Sequence, residues 1–388
     1  MFGFYSGKYR FGISRILSMS MATARPHHAP GITCEVDRHS PEQWSRLVCG
    51  FSDATCDQTF ALRAERWGHE RLSTIVLSRN GEAIAAAILV ILTAPVLKRG
   101  FAYLKMGPLW RRKGEAADPE NLNLILGAIS REYVQRRHLL VIALLPPDPD
   151  HIAAAAPALA GQGFRLRRQG MDPNRYLVNA RLGEDEQLAS LHQKWRYNLR
   201  KSLKNNFEIT AHESEAAMEE FVALYLAMVT RKSLPTKTPT ETLRELIREL
   251  PEGMKPQTVL VRHEGRPTAG AIVGNIGETA SFIFGATDNR ALPLKAGYAM
   301  QWWILSRLRE QGGVHWYDLG GDGEDPGLRQ FKKGLVGKAG HVVETPREYE
   351  SWRDPVSWLI TESITTSRSV SRVLGQFDMD KIRGWLGR

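Results

Sequence analysis

The sequence is short of the features that mark the commonest chemistries. Its three cysteines, Cys34, Cys49 and Cys56, lack the paired spacing of a zinc site or a redox motif, and fit a chain kept in a reducing cytosol. No Gly-x-Ser-x-Gly elbow, no His-Glu-x-x-His and no His-x-Glu with Cys-x-x-Cys occurs, so nucleophilic hydrolysis and zinc chemistry lack support. The pair His27-His28 reads as solvated rather than as metal ligands. The longest apolar run, Ala83 to Leu97, falls short of the roughly 20 residues a bilayer-spanning helix needs. It contains Pro95 and reads as buried strand.

Acids are absent from residues 1 to 34, which carry Lys8, Arg10, Arg15 and Arg25 but no unbroken apolar core of a secretory signal. Residues 1–32 are expected to form a flexible basic tail, with a transit peptide or a surface-binding arm as the alternatives, and Met19 or Met21 as a second start. What is abundant is positive charge. The formal net charge of +10 favours a polyanionic partner such as nucleic acid, phosphate esters or an anionic membrane surface.

At 388 residues the chain has room for two domains, and its pattern repeats. A strand at Thr74–Leu77, an Asn80-Gly81 turn and a strand from Ile84 to Leu92 are echoed by Thr258–Val261, Glu264-Gly265 and Ala269 to Gly274, with a further strand at Thr279 to Phe284. Each set leads into a helical pattern, Asn121 to Arg136 and Gly297 to Gln311, and then a strand, His138 to Leu144 and His315 to Leu319. The order of antiparallel hairpin, helix and strand, twice over, predicts an α+β chain of two related domains, residues 33–185 and 186–346. Residues 347–388 read as a helical segment, lying on a membrane surface or packed on the first domain.

Two stretches carry chemistry. His192 to Asn206 holds Lys194, Arg196, Arg200, Lys201 and Lys204 without an acid. On a helix Arg196, Arg200 and Lys204 share one face, fit either to receive an anion or to be solvated, with Trp195, Tyr197 and Leu199 as the buried side. The second stretch, His315 to Gly334, runs from a strand through glycines to Lys332 and Lys333. Its acids and Pro326 interrupt any Walker loop, and the calcium-loop spacing is missing, so it reads as a turn exposing a helix start. Its lysines face an anion or lie on the surface.

Together these segments resemble the Fem-type aminoacyltransferases, which build peptide bridges on peptidoglycan precursors. Gln58 with Trp67-Gly68 is similar to that family's early signature, and Tyr103 to Pro108 to its strand end. Lys194 to Asn205 is similar to its basic helix, Phe284 to Asn289 to its Gly-Ala turn, and Trp316 to Gly321 with Gly327 to Gly334 to its closing motif. The resemblance implies two tandem GNAT-like domains, each a mixed or antiparallel sheet flanked by helices. It implies aminoacyl-tRNA as donor and, as acceptor, an amine on a phosphate-containing precursor, with no cofactor and no metal. Lys332 would act at the reacting carbonyl or substrate phosphate. Asp318 would be a base or the anchor of the Gly320-Gly321 turn. Arg71, Tyr103, Arg196, Arg200 and Phe284 would bind substrate, and Lys194, Lys201, Lys204 and Lys333 would contact tRNA. The implied location is the cytoplasm, with peripheral contact at the inner face of the membrane.

The sequence departs from the family pattern at Phe282 and Phe284, where a tyrosine hydroxyl is usual, and at Met106, where arginine is usual. The alternative reading is an acyl-CoA-dependent N-acyltransferase on the same fold. Arg290 to Ala299, with Gly297 and Ala299, fits the pyrophosphate-cradling helix start of such enzymes only loosely.

Overall fold

The computed structural model describes residues 31–167, 174–232, 240–322, 325–344 and 347–373. The basic tail through residue 30 and the terminal Trp385 lie outside the described residues. The first half runs β1 (Ile32–Val36), α1 (Pro41–Val48), α2 (Phe60–Trp67), β2 (Leu72–Arg79), β3 (Glu82–Thr93), β4 (Gly100–Lys105), α3 (Pro119–Ile129), β5 (Leu140–Leu144), α4 (Ile152–Gly161) and β6 (Arg165–Leu166). The second half begins with β7 (Arg175–Asn179), α5 (Glu184–Ser190), α6 (Gln193–Ser202), β8 (Phe207–His212), α7 (Glu215–Lys232) and α8 (Thr240–Glu249). It continues with β9 (Gln257–His263), β10 (Arg266–Asn275), β11 (Thr279–Thr287), α9 (Ala291–Leu294), α10 (Ala296–Gln311), β12 (Trp316–Asp318), α11 (Pro326–Val336) and β13 (His341–Val343). β14 (Glu348–Ser351) and α12 (Pro355–Val373) close the described chain.

Local chemistry accounts for the turns and starts. Asn80 and Gly81 take φ of 54° and 85°, and Glu264 and Gly265 take 53° and 71°. Positive φ at both central residues matches the right-handed twist of the strands each turn joins. Ser40 opens α1 with a reciprocal capping box to Gln43. The Asp325 carboxylate opens α11 by accepting from the backbone N–H groups of Gly327 at 2.7 Å and Leu328 at 3.0 Å.

The strands form two seven-stranded sheets, ordered β1-β2-β3-β4-β5-β14-β6 and β13-β7-β12-β11-β10-β9-β8. Each is antiparallel except for one central parallel step, β4 beside β5 in the first and β11 beside β12 in the second. Each sheet also borrows its sixth member. β7 pairs with β12 and β13 in the second sheet, and β14 pairs with β5 and β6 in the first. A boundary after residue 185 therefore cuts one strand too late, because residues 175–179 build the second sheet. Alternation of Tyr176 and Val178 marks a strand but does not say which sheet receives it. The segment after 346 likewise supplies a strand before its helix.

Alternation along β4 sets two cores on opposite faces. Ala102 and Leu104 pack toward α3, whereas Phe101 and Tyr103 pack with Trp67, Trp352, Trp358 and Ile364 beneath α12. A further core joins the halves, bringing Trp44, Phe51 and Cys56 against Met218, Phe221 and Leu246. Burial of each large apolar side chain is worth about 1.5–3 kcal/mol, so this junction is held as a domain interior is. Gly274 and Gly277 lie in it, where an added methyl would run into the Cys56 sulfur and into the backbone of Ser52 and Ala54. Among the described residues no helix is long and apolar enough to cross a membrane.

Candidate active site

β11 and β12 pair only from Thr279–Ser281 to Trp316–Asp318. Beyond that point β11 runs on through Thr287 while the chain after Asp318 turns away at Gly320, whose φ is 69°. The strands part there and leave a wedge. In the first sheet the equivalent strands remain paired from Phe101–Lys105 to Leu140–Leu144.

Side chains from several elements fix the turn. Asp318 accepts the Gly320 N–H at 2.8 Å on one oxygen and the Arg175 guanidinium at 3.1 Å on the other. Asp322, 3% exposed, accepts the Tyr176 hydroxyl at 2.6 Å and Arg329 at 2.8 Å. Lys332 reaches the same turn from α11 and is only 6% exposed. Its ammonium donates to the carbonyl oxygens of Leu319 and of Gly321, the latter at 2.5 Å. The Tyr176 and Phe282 rings lie 6.0 Å from it. Burial brings the Lys332 pKa down to about 8, with the Asp318 carboxylate opposing that fall. The arrangement holds a cation with little freedom to move at the mouth of the wedge.

On the opposite face of β7 and β12, the two halves meet over a narrow cleft of about 20 Å³, room for about one water molecule. Asp53, Asp57, Asp148 and Asp318 line it with Arg111 and Arg175. Burial alone would raise the Asp57 pKa, but Arg63, Lys105 and Arg175 hold it at about 2. Burial does raise Asp53, to about 6, against Arg111 and the backbone N–H groups of Trp110 and Arg111. Arg111 is shared between Asp148 at 3.0 Å and Glu278 at 2.5 Å. Each carboxyl there already meets a cation or backbone donors: Asp57 meets Arg63 and Arg175, Asp318 meets Arg175, Asp148 meets Arg111, and Asp53 accepts from two backbone N–H groups. Among the described residues no group of three or more His, Cys, Asp or Glu could hold a metal ion.

Asp318 and Lys332 thus come together at one turn, approached from opposite faces of one sheet. The basic helix is α6, and it presents Lys194, Arg200 and Lys201 to solvent with Arg196 half-buried, while Lys204 is exposed in the turn that follows it. Its inward residues are Trp195, Asn198, Leu199 and Ser202. Tyr197, expected on that side, is 66% exposed, because two residues from Trp195 is half a turn away. Lys333 points away from Lys332 and pairs with Glu344 at 3.3 Å.

Three expected substrate contacts lie elsewhere. Arg71 stands at the entry to β2, 3.8 Å from Glu70, and does not line the cleft. Tyr103 is 7% exposed and packs in the core under α12. Phe284 packs edge-on to Tyr225 of α7. The register shift opposite Ile272 and Val273 sends Phe282 and Phe284 to different cores, and only Phe282 faces Lys332. Met106, with φ of 54°, does line the cleft.

Gln58 proves to be a support. Fully buried, it donates to the carbonyls of Lys105 and Met106, both at 2.6 Å, and so fixes the end of β4 beside the cleft. Arg175, Asp57 and Arg111 escaped the reading of the sequence. They belong to no recognisable motif, and only the meeting of the two sheets assembles them.

A family model described as an acetyltransferase (GNAT) domain matches residues 189–333. Among solved structures the chain is similar to FemX, with a TM-score of 0.67 and 16% sequence identity over 84% of this chain and 99% of that one. It is also similar to a conserved protein of unknown function from Bacteroides thetaiotaomicron, with a TM-score of 0.56 and 14% identity over 82% and 99% of the two chains. No curated protein matches the sequence. The chain therefore has a Fem-type fold, with two GNAT-like domains in tandem.

Proposed function

We propose that this GNAT-type acyltransferase fold moves an amino acid from aminoacyl-tRNA to the amine of a precursor that carries phosphate. The observation that carries this reading is the buried Lys332 ammonium, fixed by two carbonyls where β11 and β12 part. An aminoacyl ester is already activated, so the protein's task is to aim the amine and stabilise the oxyanion. The amine nitrogen attacks the ester carbonyl, and the carbon–oxygen bond to the terminal ribose breaks. The proton lost by the amine ends on the ribose oxygen. Lys332 supplies positive charge at the developing oxyanion. The exposed cations of α6 and the +10 charge of the chain favour tRNA and make its affinity fall with salt.

The start of α10 supports tRNA over coenzyme A. Ser202 of α6 donates to the Lys295 carbonyl at 2.8 Å and Asn205 to the Leu294 carbonyl at 2.9 Å. Tyr298 packs between Trp195 and Phe331, tilted against the first and edge-on to the second, each centroid 4.9 Å away. This aromatic group crowds the helix start where a pyrophosphate would have to approach. The test supplies purified protein with radiolabelled aminoacyl-tRNA pools and candidate amines, and in parallel with labelled acetyl-CoA. Label should pass from tRNA to amine and be lost in Lys332→Ala, with tRNA affinity largely kept. Transfer from acetyl-CoA alone would overturn the reading.

A further inference from the structure

The loop between β3 and β4 and the start of α12 form one surface with an unusual make-up. Val96 is 91% exposed and Leu97 56%, at the tip of a loop closed by Ala94 N–H to Arg99 O and Lys98 N–H to Ala94 O, both 2.9 Å. The loop is fastened to α12. Arg99 pairs with Asp354, and the Gly100 N–H donates to the Ser357 hydroxyl at 3.1 Å. Next to it Val356 and Leu359, one helical turn apart, are 42% and 57% exposed. A cleft of about 660 Å³ opens along the other side of the helix, walled by Leu166, Trp352 and Trp358 and lined by Arg165, whose guanidinium lies 4.7 Å from the Trp352 ring.

Charge on this surface is one-sided. Asp354 is neutralised by Arg99, Glu350 by Arg165 and Arg167, and Glu362 by Arg167. Lys98 and Arg353 are exposed beside the apolar tips. A projecting valine-leucine tip and two exposed helix aliphatics, flanked by the exposed cations Lys98 and Arg353, match a soft anionic lipid surface better than a flat protein face. We propose that the β3–β4 loop and the first turns of α12 dock this protein on an anionic phospholipid bilayer. Val96, Leu97, Val356 and Leu359 enter the headgroup region, and Lys98 and Arg353 pair with lipid phosphates. The proposal is independent of the acyl donor.

The test is co-sedimentation of the full chain with vesicles of phosphatidylcholine alone or mixed with phosphatidylglycerol. Binding should need phosphatidylglycerol and weaken with salt. The double variant Val96→Asp with Leu97→Asp, the single variant Leu359→Asp, and the pair Lys98→Glu with Arg353→Glu should each reduce binding about tenfold or more. Val96→Ser and Leu359→Ser, milder changes at exposed positions, guard against misfolding and should move binding the same way. The proposal is overturned if the full chain ignores the vesicles, or if the variants bind as before, in which case the basic tail or α6 carries the attraction. It is also overturned if Leu359→Asp abolishes a dimer in sedimentation velocity and leaves vesicle binding untouched.

Discussion

The Arg111 guanidinium, from the segment following β4, donates to the Glu278 carboxylate at 2.5 Å and so fastens the first sheet's end to the second sheet. The same cation lies against Asp148 and offsets the buried charge of Asp53. Removing one partner of a buried ionic group leaves the others uncompensated, at a cost of about 3–5 kcal/mol. Arg111→Leu should therefore lower the urea midpoint with an unchanged slope, and drive the Asp53 pKa further above 6. An unchanged midpoint would show that the junction does not depend on this contact.

Lys332 acts as a cation in the proposed reaction, and its pKa near 8 puts the loss of that charge within reach. Turnover should fall as pH rises through about 8. Arg keeps its charge throughout, so Lys332→Arg should abolish this falling limb, at a lower rate because a planar guanidinium does not fit the two carbonyls. The check is kcat/KM against pH for both proteins.

Asp318 works in the opposite sense to burial, favouring the protonated lysine. Asp318→Asn should shift the falling limb below pH 8 while also freeing Arg175 and loosening the Gly320 turn. A limb that stays in place would remove Asp318 from the electrostatics of the site.

Glu249 ends α8 and accepts the Ala61 N–H of α2 at 3.2 Å, with burial pushing its pKa up to about 7. A folded-state pKa above the unfolded 4.5 means that its contribution to stability is complete below pH 4.5 and is lost as pH climbs through 7. Glu249→Gln keeps the acceptor without the charge. The variant should match the parent in acid and exceed it above pH 7, as thermal melts across that range would show.

The duplicated plan of the fold was open to view in the sequence, because hairpin turns and strand alternation are local signals. Asn80-Gly81 and Glu264-Gly265 announce their geometry within two residues. The glycine turn at which the Asp318 and Lys332 side chains meet was legible in the sequence. Tyr103 and Phe284 were misplaced because strand parity fixes which side a residue faces only once the partner layers and the shift at Ile272 are known. Asp57, Arg111 and Arg175 were invisible for a related reason: each is an ordinary charged residue until two distant strands bring it to the same cleft.

The unequal parting of the parallel strands has a numerical consequence. A repeated unit whose first copy stays zipped over five residue pairs and whose second opens after three offers, among the described residues, one gap between parallel strands for the proposed aminoacyl group. Titration should saturate at one donor per polypeptide.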